Sequence, residues 1–120
     1  MKSLIAGAII ILPASGFAAG LNCSIHPQEG TPDSSLPKFA KISETKARKA
    51  AIAKIKAPRK SHIEGELEVE QGCLVYSFDI KLPGKSGIEV VMVDAGTGKV
   101  LSHTHESQKQ EMQERSKEKN

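Results

Sequence analysis

The chain has 120 residues, with 17 Lys and Arg against 14 Asp and Glu for a formal charge of +3. That length holds one compact domain rather than two, and so small a charge gives no footing for nucleic acid. One Tyr, three Phe and no Trp also leave few aromatic faces on which bases could stack.

The chain opens with Lys2 and an apolar run from Leu4 to Leu12, too short for a stable bilayer span. Pro13 breaks that run, and Gly16 and Ala18 place small residues at the −3 and −1 positions of a cleavage site. Residues 1–18 therefore read as a secretory signal peptide, with Ala18-Ala19-Gly20 a second candidate site. Asn22, directly before Cys23, does not suit a lipobox, which needs a small residue there. Cleavage would remove Lys2 and lower the formal charge from +3 to +2. No later segment is apolar enough to span a membrane, so the mature chain is expected to be a soluble periplasmic or secreted protein with no membrane span.

Cys23 and Cys73 are the two cysteines, and they form no CxxC pair. Neither a zinc ribbon nor a thioredoxin-type motif is indicated. In an oxidising compartment the pair is expected as a structural disulfide, with two free thiols as the alternative.

Residues 19–41 contain Pro27, Gly30, Pro32 and Pro37 among polar residues and read as an irregular N-terminal arm. Ser43 then offers an N-cap, Glu44 suits the positive helix end, and Ala47, Ala51, Ile52 and Ile55 recur at helical spacing. Lys54 and Lys56 suit the negative end and Pro58 prevents continuation, so a helix is predicted over 44–56. The period then changes from helical to alternating. Ile63, Gly65, Leu67 and Val69 point one way and Glu64, Glu66, Glu68 and Glu70 the other, a half-buried strand with an acidic face. Gln71-Gly72 is a turn. Leu74, Tyr76, Phe78, Ile80 and Leu82 alternate with Cys73, Val75, Ser77, Asp79 and Lys81 as a second strand. Ile88 to Val93 is a third. Asp94-Ala95-Gly96-Thr97-Gly98 is a hairpin turn whose glycines can take positive φ, and Val100-Leu101 begin a short fourth strand running towards His105. The predicted fold is α+β: one helix packed on an antiparallel meander of three to four strands. The tail 106–120 has Met112 as its one apolar residue and is expected to be charged and flexible.

Three stretches together resemble the PepSY domain family: Lys46-Ala47-Arg48-Lys49-Ala50-Ala51-Ile52-Ala53, Tyr76-Ser77-Phe78-Asp79-Ile80, and Val91-Met92-Val93-Asp94-Ala95-Gly96-Thr97-Gly98-Lys99-Val100-Leu101. The last is the most telling, a strand closing on an Asp and a Thr-Gly turn before a short final strand. The likeness spans about residues 42–105. One departure is Pro58-Arg59, where the family often has Pro-Gly. The resemblance implies an exported module that binds rather than catalyses. PepSY domains occur in propeptides of thermolysin-like metallopeptidases, where an inhibitory role has been proposed, and the family carries no shared catalytic residues.

Three groups of residues are candidate sites. The row Glu64, Glu66, Glu68 and Glu70 offers a surface to a protein partner, such as a peptidase or another envelope protein, or is simply the wet face of a strand with Lys81 relieving its repulsion. His103 and His105, two apart on a strand, face the same side and can chelate a divalent metal. Glu106, His62 or His26 would supply a third ligand; the alternative is a strand fraying into a polar tail. Asp94, Thr97 and Gly98 form the turn motif, with a structural role through side-chain hydrogen bonds. No nucleophile elbow, P-loop or HExxH pattern is present, so the chain is not expected to be an enzyme or to need a cofactor. The alternative to the binding module is a periplasmic divalent-metal binding or sensing protein that uses His103 and His105.

Overall fold

The computed structural model describes residues 20–107. The signal-peptide reading of residues 1–18 and most of the tail reading lie outside the described residues. The order of elements is a 3-10 helix Asp33–Lys38, helix α1 Glu44–Ile55, and strands β1 His62–Glu70, β2 Cys73–Lys81, β3 Ile88–Asp94 and β4 Val100–Glu106. The strands form one sheet in the order β1-β2-β3-β4, with every neighbouring pair antiparallel. This is the α+β arrangement that the change of period predicts.

Helix α1 starts where its cap requires. Ser43 is extended, and its hydroxyl accepts from the Lys46 N–H at 3.1 Å, satisfying one otherwise unpaired donor. At the other end Lys56 takes the left-handed region at φ 54, while its N–H and that of Ala57 return to the Ile52 carbonyl. The helix therefore closes one residue before the predicted boundary, on a lysine where glycine is usual. Ala47 and Ala51 are fully buried, and Ala50 and Ile55 flank them. Small residues on this face bring the helix axis close to the sheet.

The helix covers the sheet face formed by Leu74, Tyr76, Phe78, Ile80, Val91 and Val93, and Leu36 of the 3-10 helix joins the same core. That short helix lies inside the stretch read as irregular. Its Pro-rich sequence hides the single apolar anchor, Leu36, that packs it down. Close approach shapes the core at Gly65. It faces Phe78 across the β1–β2 pair, and a Cβ there would lie 2.5 Å from Phe78 Cε1. The Phe78 ring thus occupies the space a side chain would need. Above it the Arg48 guanidinium sits 5.7 Å from the ring centroid and donates to the Glu44 carboxylate and the Ile63 carbonyl.

Strand β2 departs from simple alternation. Cys73 to Phe78 are buried on both faces, because β2 is central and the N-terminal arm crosses its start. The Leu74 N–H donates to the Ile25 carbonyl, and Cys23 is disulfide-bonded to Cys73 with 5.9 Å between their Cα atoms. The arm is thereby part of the fold and not an appendage. Among the described residues no helix is long and apolar enough to cross a membrane.

Candidate functional site

The turn motif behaves as its residue types require, with one addition. Asp94 is almost fully buried, and its carboxylate accepts from the Gly96 N–H at 2.8 Å and the Thr97 hydroxyl at 3.1 Å. The Thr97 hydroxyl accepts in turn from the Lys99 N–H. The Ser24 N–H and hydroxyl, from the arm, complete the set of donors to Asp94. Of the two turn glycines only Gly98 adopts positive φ, at +84. Gly96 is instead needed for close approach, since a Cβ there would collide with Ser24 Oγ and crowd Ile25. Burial by itself would raise the Asp94 pKa, but the four donated hydrogen bonds outweigh it and hold the carboxyl below the ordinary aspartate value.

Strand β1 pairs with β2 on one side, and β2 supplies its partner in the sheet. Glu64, Glu66, Glu68 and Glu70 stand on the face away from α1, opposite Asp79, Ser77, Val75 and Cys73 respectively. Lys81 stands opposite His62, one pair beyond Glu64 on that face, and its ammonium donates to the Lys85 carbonyl. Asp79 adds a further negative charge opposite Glu64. The consequence falls on Glu68, whose pKa rises from 4.5 to about 7 through burial first, then a hydrogen bond with Glu70 and the charges of Glu70, Glu66 and Asp79. Val69, on the other face, remains exposed at the end of the strand.

His103 and His105 meet a third group that the sequence reading did not single out. Both imidazoles close on Glu89 of β3: His103 Nε2 lies 2.6 Å from Oε1, and His105 Nδ1 lies 2.5 Å from Oε2. Glu89 is directly opposite His105 in the sheet register and His103 is opposite Val91. The Glu89 side chain is only 17 % exposed, and the two hydrogen bonds, with that of His105 the stronger, lower its pKa against the opposing effect of burial. Of the third ligands considered from sequence, Glu106 faces Ile88 on the other side of the sheet, His62 is bonded to Glu64, and His26 lies beside Cys23. The signal for Glu89 was present in the alternation of β3: positions 89, 91 and 93 share one phase, and a carboxylate stands in line with two fully buried valines.

Among the described residues, the group of metal-ligating types whose ligand atoms all lie within 4.8 Å of one another is Cys23, His26 and Cys73. The disulfide occupies both sulfurs and leaves no thiolate to bind metal.

No family model matches the chain, and neither a curated protein nor a solved structure is significantly similar to it. The functional reading therefore rests on the residues and their geometry.

Proposed function

We propose that this chain is an exported, non-catalytic binding module of the PepSY type that acts by protein–protein contact and restrains an extracytoplasmic peptidase. The observation that carries this reading is strand β1. It is an edge strand of nine residues with four glutamates on one face and no basic side chain directly opposite them. An edge strand presents unpaired backbone groups along one side, and an extended segment of a partner can add to it. The glutamate row then selects a basic partner and speeds encounter through its field. The Cys23–Cys73 disulfide supports an oxidising destination. The resemblance to PepSY domains, over the helix and meander just described, supplies the peptidase as the class of partner.

The test is inhibition. Purified protein is titrated into the extracytoplasmic thermolysin-like metallopeptidases of the same organism while turnover of a peptide substrate is followed. Saturable slowing that is weakened by added salt and by a Glu64→Lys, Glu66→Lys double variant is expected. Unchanged turnover at a large excess of the protein would reject the reading.

A further inference from the structure

We propose that Glu89, His103 and His105 form a binding site for a divalent first-row transition-metal ion of the zinc, copper or nickel kind. The proposal stands apart from the peptidase reading and uses a different face and edge of the sheet.

Three features make this more than two histidines at a strand end. The donors sit on paired strands, β3 and β4, so that the sheet fixes their backbone positions instead of gathering them from loops. Two imidazole nitrogens with one carboxylate form a donor set that suits borderline transition metals and not calcium, which takes oxygen ligands. Each imidazole nitrogen already lies beside a different oxygen of Glu89. Glu89 thus links both imidazoles, and because the three donors do not all lie within 4.8 Å of one another, the imidazoles must rotate inward to share one ion.

The surrounding backbone is also shaped to seat His105. Gly87 has φ +82, and a Cβ there would lie 2.8 Å from His105 Cε1 and Nε2 and 2.5 Å from the Glu106 carbonyl oxygen. A side chain at this position would push the ring away from Glu89. The His103 and His105 side chains are 35 % and 52 % exposed, so the cluster is open to solvent. An ion can enter, and water can complete its coordination. On binding, the proton held in each imidazole–carboxylate contact passes to solvent, and the freed nitrogen lone pairs and the carboxylate close on the ion.

A purely structural role would leave the same three residues as a clasp between β3 and β4 with no affinity for metal, and the experiment separates the two. Untagged protein stripped with chelator is titrated calorimetrically with zinc, nickel and copper salts, with calcium as control. The expected result is one saturable site for the transition metals and none for calcium. Affinity should fall at least tenfold in Glu89→Gln and be lost in a His103→Ala, His105→Ala double variant, while His26→Ala and His62→Ala bind as the parent does. Because the double variant also removes the clasp, a second measurement uses the intact protein. Substoichiometric copper(II) should selectively broaden the imidazole proton signals of His103 and His105 in its NMR spectrum. Absence of saturable binding, binding unchanged in the double variant, or broadening centred on His26 or His62 would overturn the assignment.

Discussion

Ser24 and Asp94, 70 positions apart in the chain, are joined by two hydrogen bonds, from the Ser24 N–H to Oδ2 at 3.0 Å and from its hydroxyl to Oδ1 at 2.8 Å. One buried carboxylate thus ties the N-terminal arm to the β3–β4 turn, and the same oxygens order the turn through Gly96 and Thr97. Asp94→Ala should cost about 3 kcal/mol, since it removes a buried acceptor and strands several donors at once. Urea unfolding of the two proteins measures it directly, and a loss below about 1 kcal/mol would show that water replaces the carboxylate without penalty.

The same residue sets part of the acid limb of stability. Its pKa is lowered in the folded chain, so its contribution is present above the ordinary aspartate value of 3.8 and is lost as pH falls through the lower folded value. The neutral variant Asp94→Asn is expected to lose stability less steeply than the parent below pH 3.8, as followed by circular dichroism across an acid titration. Parallel acid limbs for the two proteins would contradict this.

Glu68 acts in the opposite sense. A carboxyl whose folded pKa is raised to about 7 from 4.5 contributes its stabilisation below the unfolded value and loses it as pH rises through the folded one. Glu68→Gln should therefore melt at a higher temperature than the parent at pH 8 and near the same temperature at pH 4. Carbon-detected NMR titration of the Glu68 carboxyl offers an independent check. A midpoint in the normal glutamate range would mean that neither burial nor the neighbouring carboxylates act as described.

At Gly65 the relevant force is repulsion. A methyl group would sit 2.5 Å from the Phe78 ring edge, so Gly65→Ala must shift either the ring or strand β1. The expected loss is about 1–3 kcal/mol, with changed ring-proton shifts of Phe78. A neutral substitution would show that the ring swings aside freely.

Reduction of Cys23–Cys73 opens a loop with a sequence separation of 50, and the chain-entropy account gives a loss of about 4 kcal/mol. Equilibrium unfolding of a Cys23→Ser, Cys73→Ser variant checks this. The Ser24–Asp94 bonds and the bond from the Leu74 N–H to the Ile25 carbonyl remain to hold the arm, so the variant is expected to fold with the arm in place.

Much of this architecture follows from local sequence. The N-cap at Ser43, the alanine face of α1, the alternation of β1 and the Asp94-to-Gly98 turn are set by interactions a few residues long. Periodicity and cap chemistry are visible in the order of residues alone. The disulfide between Cys23 and Cys73, expected from the export reading of residues 1–18, is present in the structure. The 3-10 helix at Asp33–Lys38 was not legible in this way, because its position depends on one leucine finding the core and not on any repeat.

The histidine cluster shows most plainly what only the tertiary structure decided. Val100 pairs with Val93, whereas Ser102 pairs with Met92, so that Leu101 is an extra residue and the register shifts. That single-residue irregularity moves every later side chain of β4 to the opposite face. With it, His103 and His105 lie on the same face as Glu89; in an uninterrupted ladder Thr104 would stand opposite Glu89 and both histidines would face the other way. Alternation within a strand is a local property, and it correctly placed the two histidines on one side together. Which side that is depends on register between strands, and register is settled by the packing of Val93 and Val100 against the core, which no single stretch of the sequence contains.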